Sequence, residues 1–205
     1  MAGSQIDAVV FDLGGVLIDW DPRYLYRQLF DDPDEMTHFL GRICTTDWHR
    51  AHDLGVDTTQ SCEELARQHP RYADMIMAWA HRGEEMIRGQ IDGTVEILAE
   101  LRSAGLPVFA LSNMEPDRYV VRRDRFAFMN WFDGSVISGI EGVAKPDRQI
   151  FEILLSRHEL DPRRTAFIDD SPGNVAAARE LGIAALRFTS PEDLRRDLRG
   201  LGLAV

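Results

Sequence analysis

Five short apolar runs, separated by helical patterns, set the narrowest limit on how this chain folds. They are Ala8–Phe11, Val108–Leu111, Ser135–Ile137, Ala166–Ile168 and Ala184–Phe188. Each has strand length and ends at turn or polar residues, as strands buried inside a sheet do. Helical patterns lie between them. Thr94–Ala104 places Val95, Leu98 and Leu101 at three-residue spacing and stops at Gly105. Asp147–His158 carries Ile150, Ile153 and Leu154 on one face, with Pro146 at its opening, and Asn174–Leu181 is stopped by Gly182. The last helix opens with Ser190 as cap, Pro191 at the first helical position, and Glu192 and Asp193 in the first turn. Strands alternating with single helices imply an α/β fold with a parallel sheet and right-handed crossovers.

The alternation is interrupted once, from about Asp19 to about Gln90. Nothing in that stretch alternates with period two. It reads as wholly helical, with candidate helices Pro22–Phe30, Pro33–Ile43, Ser61–Gln68 and Arg71–Arg88. A chain of 205 residues fits one domain with a sizeable insertion better than two full domains. Residues 1–18 and 91–205 then form the α/β core, and 19–90 the helical insert. The insert follows directly on the first strand, where it is placed to roof a site.

The net charge of −11 offers no basic stripe for a nucleic acid, although one small phosphate ester needs only one or two local cations. Cys44 and Cys62 lack a metal-like spacing and read as free thiols of a reducing compartment. No run approaches 18 apolar residues, and the first residues lack the basic-then-apolar order of a signal peptide. The expectation is a soluble, cytoplasmic protein.

The chemistry gathers where the runs end. Asp12 closes the first strand and is followed by Leu13 and the pair Gly14-Gly15, which lets the backbone approach a ligand closely. Asp169 and Asp170 close the fourth. Ligands of open α/β sheets bind outside the carboxyl ends of strands, and two adjacent carboxylates there call for a cation, most simply a hard divalent metal with oxygen ligands. Ser112 and Asn113 end the second strand and offer hydrogen-bond donors to an anionic oxygen. Lys145 is the only lysine in the chain, a compact ammonium suited to neutralising clustered acids and holding phosphate.

In this order the chain resembles the haloacid dehalogenase superfamily of hydrolases over nearly its whole length. Asp12 resembles the nucleophile of the first family motif, Ser112 the hydroxyl of the second, Lys145 the lysine of the third, and Asp169-Asp170 the acids of the fourth. The resemblance implies a Rossmann-like three-layer sandwich with the insert as a helical cap. It further implies a Mg2+-dependent phosphatase acting on a small phosphorylated metabolite, such as a sugar phosphate, through an aspartyl-phosphate on Asp12. Magnesium would be held by Asp12, the Gly14 carbonyl and the fourth-motif acids, Asp170 directly and Asp169 directly or through water. Ser112, the backbone at Asn113, and Lys145 would hold the phosphoryl oxygens.

One residue departs from the family pattern. Phosphatases of the family place a second Asp, the general acid and base, where this chain has Gly14. The remaining sources of a proton are the substrate's own good leaving group or the insert, where His49 and His52 are candidates; as bland helix histidines both would be exposed. Trp48, Met75 and Trp79 are candidate pocket residues of the insert. Two other readings stay open: a metal-independent 2-haloacid dehalogenase using Asp12 and Lys145, and a non-enzymatic regulatory relic.

Overall fold

A computed structural model describes residues 5–205. Among these residues seven strands form two sheets: β1 (Ala8–Phe11), β2 (Ile18–Trp20), β3 (Ile87–Gln90), β4 (Val108–Ser112), β5 (Gly134–Ile137), β6 (Thr165–Asp169) and β7 (Ala184–Arg187). The larger sheet has the order β5-β4-β1-β6-β7 and every pairing in it is parallel. The five apolar runs are its five strands. The expected α/β, Rossmann-like architecture is the one observed.

The reason is visible along β1. Successive strand residues point to opposite faces, so an uninterrupted apolar run serves two cores at once. Val9 and Phe11 enter one cluster, with Val95, Leu98 and Leu101 of α6 (Asp92–Ser103) and Leu194 and Leu198 of α11 (Pro191–Gly200). Ala8 and Val10 enter the other, with Ile150 and Leu154 of α9 (Arg148–Arg157) and Val175 and Ala178 of α10 (Pro172–Glu180). Helices therefore cover both faces, giving three layers. Truncating Phe11, which is fully buried, would cost about 3–5 kcal/mol. Caps follow the sequence signals: Ser190 Oγ accepts from Asp193 N–H, and Asp147, not Pro146, caps α9 by accepting from Gln149 N–H.

The stretch between β1 and α6 departs from its wholly helical reading. Its ends pair as a two-stranded antiparallel ribbon, with Ile18 opposite Gln90 and Asp19 opposite Gly89. Between them come α1 (Arg23–Tyr26), α2 (Pro33–Arg42), α3 (Thr46–Asp53), α4 (Thr58–Gln68) and α5 (Ala73–His81). The continuous helix expected over Arg71–Arg88 ends at His81, turns through a 3-10 segment at Gly83–Met86 and becomes β3. A Cβ at Gly83 would lie 2.6 Å from the Arg118 guanidinium, so this turn is made where the chain packs against α7 (Pro116–Arg125). The pairing joins segments some seventy residues apart, and no local period announces it. The insert has its own core of Leu25, Tyr26, Phe39, Ile76 and Trp79, with Cys44 and Cys62 buried and free within it. Among the described residues no helix is long and apolar enough to cross a membrane.

Polar contacts hold the insert above the sheet edge, among them these. Glu84 faces Arg118, Arg122 and Arg125 of α7 at 3.4–3.5 Å. Thr58 Oγ1 donates to Glu115 Oε2 at 2.6 Å, and Ser138 Oγ donates to the Asp53 carbonyl.

Candidate active site

The larger sheet changes winding direction at β1, which has β4 on one side and β6 on the other, and this switch point is where α/β sheets open a crevice. Asp12 follows β1 directly, its N–H bonded to the Ile168 carbonyl of β6 at 2.9 Å. The loop after it folds back at once: Ile18 N–H reaches Leu13 O at 2.8 Å and Gly15 N–H reaches Ile18 O at 2.9 Å. The two glycines of this loop differ in kind. Gly15 has φ +75°, and a Cβ there would meet Asp170 Oδ2 at 2.7 Å; nothing lies within 4 Å of a Cβ at Gly14. Close packing against the Asp170 carboxylate therefore requires glycine at position 15 and not at 14.

Lys145 is the centre of the site. Its Nζ donates to the Leu111 carbonyl at 2.8 Å and contacts Asp12 Oδ2 at 2.9 Å and Asp169 Oδ2 at 2.7 Å, with its side chain only 1% exposed. Its loop is clamped by Asn113, whose amide nitrogen donates to Lys145 O and whose amide oxygen accepts from Lys145 N–H. The Asn113 side chain is thus committed to the backbone of Lys145. Ser112 is buried at the end of β4 and lines the same cavity.

Asp169 and Asp170, adjacent in sequence, have opposite surroundings. Asp169 is fully buried and accepts from Lys145, from Asn174 Nδ2 with both oxygens, and from Ser171 N–H. Asp170 is exposed at the cavity, and no other side chain hydrogen-bonds to its carboxylate among the described residues. Carboxylate oxygens of Asp12, Asp169 and Asp170 nevertheless all lie within 4.8 Å of one another.

Three acids and one lysine leave the site under-neutralised. Burial, opposed by Lys145 and reinforced by Asp169 and Asp170, pushes Asp12 up to about 8. Asp170, although its edge meets solvent, is also raised, first by partial desolvation against the surrounding protein and then by Asp169. Burial works against the Lys145 ammonium, but Asp12 and Asp169 outweigh it and hold its pKa above the usual lysine range. The carboxylates of Asp12, Asp169 and Asp170 could hold a hard cation, and an all-oxygen donor set fits an ion such as magnesium.

The cavity encloses about 340 Å³, within the size range of small-molecule pockets. Its floor is Asp12, Gly14, Ser112, Asn113, Lys145 and Asp170; its other walls include Trp20, His49, Asp53, Glu115, Arg118 and Arg122. Trp48, Met75 and Trp79 do not line it. Trp48 and Trp79 pack edge to face inside the insert. Neither histidine is an exposed helix residue. His49 stacks on Trp20 at 5.4 Å and lines the cavity, while His52 is fully buried and neither ring nitrogen has a hydrogen-bond partner among the described residues. Burial lowers both, His49 to about 4, so both are neutral near pH 7.

Sequence reasoning missed Asn174, Asp53, Trp20, and Arg118 and Arg122 of α7. Asn174 carried a signal, since it stands one helical turn beyond the Asp pair. Asp53 shares a helix face with His49, four residues earlier, but with only Trp48 and Ala51 as apolar residues in α3 that face was not legible as buried.

Comparison with known proteins agrees with this geometry. Residues 6–182 match the family model of haloacid dehalogenase-like hydrolases. The chain is 28% identical over 200 residues to a sesquiterpene phosphatase of Aspergillus oryzae, covering 97% of each. Its fold matches that of a haloacid dehalogenase family enzyme of Bacteroides thetaiotaomicron solved with magnesium and inorganic phosphate (TM-score 0.66, 22% identity, covering 90% of this chain and 95% of that one). It also matches that of an L-2-haloacid dehalogenase of Xanthobacter autotrophicus (TM-score 0.64, 22% identity, 98% and 85%). With Asp12, Lys145 and an acid pair converging on one cavity, the chain belongs to the haloacid dehalogenase-like hydrolases and is an enzyme of the hydrolase class.

Proposed function

We propose that the protein is a magnesium-dependent phosphomonoesterase acting on a small phosphorylated metabolite. The observation that carries this reading is the convergence of Asp12, Asp169 and Asp170 within 4.8 Å, with Asp170 unclaimed by any side chain. A displacement at carbon needs no such surplus of acids, so the same observation weighs against the dehalogenase reading.

Asp12, the Gly14 carbonyl and Asp170 would hold magnesium, with Asp169 behind them. When bound, the ion would offset negative charge on the transferring phosphoryl group. Asp12 is the nucleophile: its carboxylate oxygen bonds to phosphorus as the ester oxygen departs, giving an aspartyl-phosphate. Water then attacks that phosphorus, releasing phosphate and restoring the carboxylate. Lys145 keeps Asp12 oriented and supplies positive charge to the phosphoryl oxygens, and Ser112 and the main chain at Asn113 donate to those oxygens. Asp169 positions Lys145. Residues 19–90 act as a cap, with Trp20, His49 and Asp53 facing the substrate from above.

The test is phosphate release from a panel of phosphorylated metabolites and p-nitrophenyl phosphate, with magnesium or with chelator. Turnover should require the metal, and Asp12→Asn should lower kcat by more than about 10³-fold while unfolding like the parent protein. Full activity in chelator, or an active Asp12→Asn variant, would remove the reading.

A further inference from the structure

In the reading above Asp12 is committed to phosphorus, Asp170 to the cation and Lys145 to the acids beside it, so with glycine at position 14 the floor has no side chain left to protonate a leaving group. Any such group must come from the other walls of the cavity, which offer few. Arg118 and Arg122 are guanidinium ions that hold their protons too tightly to serve as acids. His49 lines the cavity but is neutral near pH 7 because burial lowers it to about 4. Glu115 is occupied in accepting from Thr58 Oγ1.

Asp53 remains. It is the last residue of α3, and its side chain is 14% exposed, at the cavity wall. No hydrogen-bond donor reaches its carboxylate among the described residues; the nearest cationic partner, His49 Nε2, lies 3.9 Å away and is uncharged at neutral pH. Its main chain is held firmly. Ser138 Oγ donates to the Asp53 carbonyl while accepting from Met114 N–H, two residues beyond Ser112, so two hydrogen bonds connect this part of the roof to the end of β4.

Resting on the phosphatase reading above, we propose that Asp53 is the general acid and base of this enzyme, in place of the second aspartate that Gly14 lacks. As the bond from Asp12 to phosphorus forms and the ester P–O bond breaks, the Asp53 carboxyl gives its proton to the leaving oxygen, which departs as an alcohol. In the second step the Asp53 carboxylate takes a proton from the water whose oxygen bonds to phosphorus, while the bond to Asp12 breaks. One water is consumed and both aspartates return to their starting state.

The electrostatics suit the role. Burial and then Glu115 push Asp53 up to about 7, against Lys145, Arg122 and Arg50; His49, neutral near pH 7, adds no charge. The carbonyl end of α3 also disfavours a carboxylate there. An acid with a pKa near the working pH is the efficient one.

The test compares kcat/KM for an alkyl phosphate, propyl phosphate, with that for p-nitrophenyl phosphate, whose leaving group needs no proton. Asp53→Asn should lose about 10²-fold or more on the alkyl ester and less than about tenfold on the aryl ester. The fall in alkyl-ester kcat/KM above about pH 7 should vanish with it. Gly14→Asp in the Asp53→Asn background should recover at least about tenfold on the alkyl ester, since the space beside Gly14 is open. Equal losses on both esters, or an alkaline limb that survives in Asp53→Asn, overturn the assignment and leave the phosphatase reading standing. A parent protein that turns over neither ester overturns both. Should Asp53→Asn fail to fold, the parent protein decides: its dependence on leaving-group pKa should be shallow below pH 7 and steep above pH 8, and one slope throughout overturns the assignment.

Discussion

The floor and the roof of the cavity are built from the same kinds of polar residue and treat them in opposite ways. On the floor, both carboxylate oxygens of Asp169 are engaged and the Lys145 ammonium has three oxygen partners, Leu111 O, Asp12 and Asp169, all at 2.7–3.1 Å. On the roof, His52 is fully buried with both nitrogens unpartnered among the described residues, and Asp53 sits beside a neutral histidine. The floor is preorganised by backbone that the sheet already fixes. The roof comes from short helices of an insert with its own core, and its polar groups are less well satisfied. That difference separates a part that orients reacting atoms from a part that meets a variable substrate.

The largest effect should come from the floor. Lys145→Ala leaves Asp12 and Asp169 buried without their cation, and removing one partner of a buried ion pair costs about 3–5 kcal/mol. Thermal unfolding should shift down accordingly, and turnover of any phosphate ester should be severely reduced. A variant as stable as the parent would show that the floor is not held by this ammonium.

Smaller and more discriminating is the contrast between the two fourth-motif acids. Asp169→Asn should destabilise, because an amide cannot accept from Lys145, Asn174 and Ser171 as the carboxylate does. Asp170→Asn should leave stability without magnesium unchanged or slightly higher, since it relieves repulsion among the acids, while raising the magnesium needed for half-maximal activity by about tenfold or more. Unfolding curves and magnesium titrations of both variants measure this, and equal metal dependence would erase the distinction drawn between them.

The smallest effect belongs to the roof and concerns pH. Unfolded, His49 binds a proton near its ordinary 6.5; folded, it does so only near 4. The unfolded state therefore takes up more protons in that window, and stability falls as pH drops from about 6.5 towards 4. His49→Gln should flatten that part of the stability curve by roughly 1–3 kcal/mol. An unchanged slope would mean that the roof opens to water readily enough to protonate His49 without unfolding.

The sequence by itself determined the sheet and the floor. An apolar run such as Ala8–Phe11 can be buried on both faces only inside a parallel sheet, and polar residues just past such runs necessarily meet at one edge. Asp12, Ser112 and the Asp169-Asp170 pair were legible for that reason, and Lys145 because it is the only lysine in the chain. What only the tertiary structure decided depends on contacts between distant segments. Asp169 and Asp170 are indistinguishable as letters; Lys145, 24 residues away in sequence, and Asn174, in the first turn of α10, bond to the first and not to the second. The β2–β3 ribbon pairs residues some seventy positions apart, which no local periodicity encodes. Asp53 reads as one more acid at the end of a polar helix. Its place in the cavity wall follows from Ser138, Thr58–Glu115 and the Glu84–arginine contacts, which hold the insert over the sheet edge and so remove that carboxyl from water.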